Sequence, residues 1–188
     1  MKNIYCIVGE SGAGKSRVVE ELCKRYGLIE LCSYTTRKPR FKGENSHQFV
    51  SGMTIGQIHQ DYPDIVAETV FDGQMYWCTQ AQADAADLYV VDPAGLEMFR
   101  ERYHGKKGIK AIYLKATGVT RRLRMANRGD DPAQIEARIS HDRKAFAEVA
   151  NLVDITVWND ALVTAVDEIW DYIQNTENKK GRGKNGQS

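Results

Sequence analysis

Gly9-Glu10-Ser11-Gly12-Ala13-Gly14-Lys15-Ser16 matches the pattern G-x-x-x-x-G-K-[S/T]. The run before it, Ile4-Tyr5-Cys6-Ile7-Val8, is apolar throughout, as expected of a strand buried on both faces. The stretch after it, residues 18–26, reads as a helix with Gly27 as its stop. A glycine-rich turn between strand and helix lets successive backbone N–H groups point inward, and the helix N-terminus adds partial positive charge. Such a loop cradles phosphates. Lys15 is expected to reach the β- and γ-phosphates of a bound nucleotide, and the Ser16 hydroxyl to ligate Mg²⁺.

Outward from the loop, short β-rich runs alternate with helical stretches. Strands are expected at 88–91, 109–114 and 153–157, and helices at 94–103, 120–126, 132–149 and 162–173. This alternation predicts an α/β fold around a parallel sheet. The middle of the chain reads differently. Residues 65–71 form a β-rich run, Asp72-Gly73 is a hairpin-type turn, and Met75-Tyr76-Trp77 follows. A mostly antiparallel insertion over about 31–79 is therefore expected, with a short helix near 54–60. Asp131-Pro132 with Gln134 makes a good helix start, and the Arg128-Gly129-Asp130 turn before it is a hinge suited to a helical lid over about 124–140.

The chain has 188 residues, 26 Lys+Arg against 25 Asp+Glu, a formal net charge of +1 and 42% hydrophobic residues. That size suits one domain, with a core at 1–30 and 80–175. The charge balance argues against a dedicated nucleic-acid binder, and no apolar run approaches the ~18 residues that span a bilayer. Met1 to Val8 is too short for a secretory signal and lacks a small-residue cleavage site. A cytoplasmic protein, monomer or homodimer, is expected. Cys6, Cys23, Cys32 and Cys78 show no C-x-x-C or zinc spacing and read as small, mostly buried residues. Lys179, Lys180, Arg182 and Lys184 lie in a Gly/Asn-rich stretch, so 176–188 is expected to be a solvated, disordered tail.

Two other basic clusters lie inside the globular part: Arg37, Lys38, Arg40 and Lys42, and Arg121, Arg122, Arg124 and Arg128. Arg37 and Arg40, three apart and separated by Pro39, suit a phosphate monoester, which guanidinium groups hold in a bidentate manner. With a phosphate loop elsewhere in the chain, a second phosphate site implies two phosphorylated substrates.

The segment Ser33-Tyr34-Thr35-Thr36-Arg37-Lys38-Pro39-Arg40 resembles the S-x-T-T-R-x-P-R signature of guanylate kinases, with one extra residue before Gly43-Glu44. The resemblance runs from the phosphate loop to about residue 173. It implies a three-layer P-loop fold and a magnesium-dependent transfer from ATP to GMP or dGMP. By similarity, Ser33, Arg37, Arg40 and Tyr76 would bind the acceptor phosphate. Arg124-Met125-Ala126-Asn127-Arg128-Gly129 resembles the start of the family's lid, so Arg128 and Arg138 would clamp the transferring group. Asn159-Asp160 resembles the pair near the adenine of ATP, or is an ordinary turn.

The likeness weakens around the acceptor base. Ala67 occupies the position of the family's guanine-reading Glu, with Glu68 beside it; on a strand a one-residue slip turns the side chain to the other face unless a bulge restores it. Trp77 and Cys78 replace a Gly and a hydroxyl, His47 replaces a Tyr, and Val90 replaces the first Asp of a D-x-D, leaving Asp92. Asp92 is either an acidic residue near Mg²⁺ or the acceptor base, or a helix cap ahead of Pro93. Competing expectations are a kinase of this fold with a different phosphorylated acceptor, a non-catalytic binding module, or a nucleotide-dependent RNA-binding protein suggested only by the basic tail.

Overall fold

β1 (Asn3–Val8) is buried along its whole length and forms the spine of the fold. The structure is a computed structural model that describes residues 1–39, 42–44, 46–71 and 73–179. After β1 come α1 (Lys15–Tyr26), β2 (Tyr34–Thr35), β3 (Gln48–Phe49), α2 (Ile55–Asp61), β4 (Ile65–Phe71), β5 (Gln74–Thr79) and α3 (Gln80–Ala85). The second half comprises β6 (Leu88–Val90), α4 (Pro93–Arg102), β7 (Gly108–Lys115), α5 (Gly118–Asn127), α6 (Pro132–Ala145), β8 (Ile155–Trp158) and α7 (Leu162–Lys179). A 3-10 turn, Val149–Asn151, lies between α6 and β8.

The main sheet has the order β6-β1-β7-β8 and all of its pairings are parallel. Alternation along β1 explains the three layers. Tyr5 and Ile7 pack with Val18, Val19 and Leu22 of α1 and Val166, Ile169 and Ile173 of α7. Ile4, Cys6 and Val8 face the other way, onto Leu96 and Phe99 of α4 and Val66, Ala67 and Cys78 of the insertion. Each such side chain fully removed from water contributes about 1.5–3 kcal/mol. The second sheet, order β3-β2-β5-β4, is antiparallel except for the β2–β3 pair, and β5 leads through α3 back to β6.

Several boundaries differ from the sequence expectation. α1 begins at Lys15, directly on the loop, and ends where expected: Gly27 adopts φ 68° and its N–H donates to the Cys23 carbonyl at 2.9 Å. α6 starts as its cap predicts, with the Asp131 carboxylate accepting from Ala133 and Gln134, but it stops at Ala145 rather than continuing to 149. The last strand is shifted to Ile155–Trp158. The two-residue strands β2 and β3, and α3, were not expected. The final helix runs to Lys179, four residues into the span expected as tail, because Glu177 accepts from the Lys2 N–H, the Asn3 amide and the Tyr5 hydroxyl. The remainder of that span and Asp72 of the expected hairpin turn lie outside the described residues.

Candidate active site

The glycine-rich loop leaves β1 at Val8 and enters α1 at Lys15. Gly12 adopts φ 77° and packs so closely on α5 that a Cβ there would lie 2.7 Å from the Arg121 carbonyl oxygen. Lys15 folds back over the loop and donates from Nζ to the carbonyls of Gly9 (2.5 Å) and Glu10 (3.3 Å). Burial lowers its pKa to about 8; Arg121 acts in the same direction, while Asp142, Asp92 and Glu10 oppose it.

A buried charge network braces the loop from behind. Arg121 donates from Nε to the Ser11 carbonyl (2.8 Å) and pairs with Glu10 (2.6 Å) and Asp142 (2.5 Å). Asp142 also accepts from the Ser11 backbone N–H at 2.8 Å, and the Tyr113 hydroxyl donates to Glu10 at 3.0 Å. Stripping one partner from such a buried pair typically costs about 3–5 kcal/mol. Glu10, expected beside ATP, thus has its carboxylate engaged in support of the loop.

Two cavities, each about 730 Å³, meet at this loop and share Ser11 and Lys15 as common wall. The first is lined by Gly12, Gly14, Ser16, Arg124, Arg128, Arg138 and Asn159. Arg124, not singled out from the sequence as a site residue, donates to the Ala13 carbonyl (3.0 Å) and the Asn159 carbonyl (2.8 Å). Asn159 is buried, its amide donates to Ala13 O at 2.8 Å, and its Oδ1 has no partner among the described residues. Arg128 ends α5 and pairs with Asp130 through its Nε (2.9 Å) and a second, shorter contact. Arg138 reaches the same cavity from α6.

The second cavity is lined by Ser33, His47, Tyr76, Asp92, Thr69 and Glu68, among others. Ser33 and His47 are hydrogen-bonded at 2.9 Å, and the His47 ring meets Tyr76 edge-on at 5.4 Å. Arg37 stands beside Tyr76, off the cavity wall; its guanidinium is held by Glu44 at 2.8 and 3.2 Å, and its buried Nε has no partner among the described residues. Arg40 lies outside the described residues. Asp92 caps α4, its Oδ1 accepting from Gly95 N–H at 2.7 Å, while also lining the cavity.

Glu68 is a different matter. A register irregularity does occur in β4, between Ile65 and Ala67, yet Glu68 ends opposite Trp77 while Thr69 faces Tyr76. Neighbouring residues on a strand alternate in direction, so the Glu68 side chain leaves β4 on the side opposite to Thr69 and Tyr76, although the residue still borders the second cavity. Its carboxylate is engaged by His59 (2.6 Å) and Arg102 (3.4 Å). The strand slip anticipated from the sequence is therefore not restored, and Ala67 holds the position opposite Cys78.

No group of three or more His, Cys, Asp or Glu suited to a metal occurs among the described residues. That chemistry still fits Mg²⁺, which is commonly held by substrate phosphates, water and one or two protein oxygens. Ser16, in the first turn of α1 on the wall of the first cavity, supplies a hydroxyl of the right kind.

No family model matches the chain. Among curated proteins it is 26% identical over 180 residues to a guanylate kinase of Porphyromonas gingivalis, covering 90% of this chain and 95% of that one. It is 28% identical over 184 residues to a guanylate kinase of Nitrosomonas europaea, covering 93% and 90%. Among solved structures, a guanylate kinase from Anaplasma phagocytophilum shares the fold with a TM-score of 0.63 at 20% identity, covering 93% of this chain and 86% of that one.

Proposed function

We propose that this chain, a divergent relative of the guanylate kinases, transfers the γ-phosphoryl group of ATP to a nucleoside monophosphate, with GMP and dGMP as the first acceptors to test. The observation that carries the reading is the pair of cavities joined at Ser11 and Lys15. Donor phosphates would occupy the cavity of Gly12, Gly14, Ser16, Arg124, Arg128 and Arg138. The acceptor would occupy the cavity of Ser33, His47, Tyr76 and Asp92, its phosphate directed toward Lys15.

Phosphoryl transfer asks little covalent chemistry of a protein, and positioning with charge neutralisation does most of the work. The loop N–H groups hold the donor phosphates in place. Lys15, swung from the Gly9 and Glu10 carbonyls onto a bridging or γ oxygen, neutralises charge between donor and acceptor. Arg128 and Arg138 approach from the lid and exclude water as it closes. Mg²⁺, bound through the nucleotide phosphates and Ser16, would supply Lewis-acid neutralisation of the β- and γ-oxygens. Ser33 and Tyr76 on the cavity wall supply donors for the acceptor phosphate, and Arg37 joins them if its guanidinium turns from Glu44. Asn159, on the wall of the donor cavity with an Oδ1 unpartnered among the described residues, offers an acceptor for an exocyclic amine of the donor base.

A second reading is favoured by one observation: the Glu68 carboxylate, at the border of the acceptor cavity, is engaged by His59 and Arg102. A phosphorylated acceptor other than a guanine nucleotide then fits the same cavity. Turnover of Mg·ATP against a panel of nucleoside monophosphates, followed as ADP release, decides between them. GMP or dGMP should be preferred; turnover with another acceptor alone overturns the guanine assignment, and turnover with none overturns the kinase reading.

The lowered pKa of Lys15 gives a pH dependence with a definite sign. Anion binding needs the ammonium form, which the free protein loses as pH rises through about 8. Affinity for a non-hydrolysable ATP analogue should therefore be level below that pH and fall toward tenfold per unit above it. Calorimetric titrations across this range test the point, and affinity independent of pH would contradict it.

A further inference from the structure

We propose that Asp142 is a positioning residue that sets the register between the phosphate loop and the lid helix, so that Arg138 and Lys15 meet the same phosphate. The proposal rests on the phosphotransfer reading above and assigns a role to a residue that borders the acceptor cavity but whose carboxylate is engaged by the loop and by Arg121.

Asp142 and Arg138 are four residues apart in α6 and hence on one face of the helix. Arg138 opens onto the donor cavity, whereas Asp142 borders the acceptor cavity and holds the loop, with Oδ2 on the Ser11 N–H at 2.8 Å and Oδ1 on the Ser11 hydroxyl at 3.3 Å. The same carboxylate holds Arg121 at 2.5 Å, and Arg121 grips the Ser11 carbonyl at 2.8 Å. Both polar groups of the Ser11 backbone are thus fixed, one by α6 and one by α5. Since Gly12 rests directly on the Arg121 backbone, the loop is clamped between the two helices that flank the lid hinge.

The apolar attachment of α6 is slight by comparison. Ile135 and Ile139 meet Met125 in a three-residue cluster, and Arg122 pairs with Glu136 on the surface. Beyond α6, Phe146 stacks on Tyr113 and fixes the chain to the main core. Asp142 therefore sits where the lid joins the body. Four residues of helix span about 6 Å, so a tilt of roughly ten degrees at Asp142 displaces the Arg138 backbone by about 1 Å. Displacements of that size cost about a hundredfold when they misplace a reacting group.

The test is a double-mutant cycle of Asp142→Ala and Arg138→Ala in the full chain, with thermal melting recorded for each variant. Asp142→Ala should lower kcat about a hundredfold with a much smaller change in the KM for ATP. Arg138→Ala should cost far less in the Asp142→Ala background than in the wild type, since the arginine is already misplaced. Asp142→Asn keeps an acceptor for the Ser11 N–H and should recover part of kcat. If Asp142→Ala does not fold, Asp142→Asn replaces it in the cycle. Independent losses that multiply, or a folded variant with wild-type kcat, would overturn the proposal.

A second readout does not need turnover. Hydrogen exchange of residues 132–142 should slow when the wild type binds a non-hydrolysable ATP analogue, and this protection should be lost in the Asp142 variant. Protection that survives the substitution would also overturn the proposal. A wild type that binds the analogue with this protection but transfers nothing would instead sink the kinase reading alone.

Discussion

Replacing Lys15 with alanine should leave a folded protein whose phosphoryl transfer is at least about a thousandfold slower, the scale seen when a preorganised charge at a transition state is removed. The fold should not suffer. The lowered pKa means that folding disfavours the charged form of this lysine, so its removal relieves a penalty below pH 8 rather than adding one. Melting temperature should accordingly hold or rise while kcat collapses. Lys15→Arg should restore little, because a planar guanidinium does not reproduce a compact ammonium held over the Gly9 and Glu10 carbonyls. Steady-state kinetics with melting curves on both variants check this. A Lys15→Ala protein with transfer within about tenfold of wild type would remove Lys15 from the chemistry.

Gly12→Val should be nearly as damaging, for a different reason. Its new Cβ would stand 2.7 Å from the Arg121 carbonyl oxygen and 3.1 Å from the Arg121 Cα, at a φ of 77° that β-branched residues avoid. Arg121 has little freedom to retreat: its N–H is bonded to the Thr117 carbonyl within α5, and its side chain is held by Glu10, Ser11 and Asp142. The loop must move instead, and its N–H groups lose their common aim. The expected cost is about 2–3 kcal/mol of stability from backbone strain, with nucleotide affinity falling by about two orders of magnitude or more as phosphate hydrogen bonds are lost. Gly52→Val is the control, because Gly52 has a similar φ of 85° but nothing within 4 Å of its Cβ position. It should show the strain without the loss of affinity. Equal affinity losses in the two variants would refute the close-approach argument.

These two residues also mark what could be read without a structure. The loop was legible because its chemistry is local: glycines, a lysine and a hydroxyl at fixed spacing, preceded by an apolar strand and followed by a helix. Asp131 was legible for the same reason, since a cap acts on the N–H groups two and three residues ahead. Asp142 and Arg121 were not. Their partners Ser11 and Glu10 lie more than a hundred residues away in sequence, and nothing in the local pattern marks a carboxylate in α6 as buried. Arg121 could be seen only as one arginine of a basic cluster. β2 and β3, two residues each, are too short for alternation to register, and they exist because β5 offers an edge to β2, which in turn pairs with β3. The end of α7 was missed because its stability comes from β1: Glu177 looks like one charge in a polar tail until Lys2, Asn3 and Tyr5 are placed against it. At Glu68 the alternation along a strand gives the side-chain direction, since the register irregularity lies earlier in β4. The His59 and Arg102 contacts that engage its carboxylate, however, come from α2 and α4 and could not be read locally.

The central claim is that a donor and an acceptor meet across Lys15. The most direct measurement supplies ATP labelled in its γ-phosphate, with Mg²⁺ and GMP or dGMP, and separates the products after partial turnover. Label is expected in the β-position of the nucleoside diphosphate, equimolar with ADP, with this transfer at least about a thousandfold slower in Lys15→Ala. Label released only as inorganic phosphate, or retained in ATP with every nucleoside monophosphate offered, would contradict it.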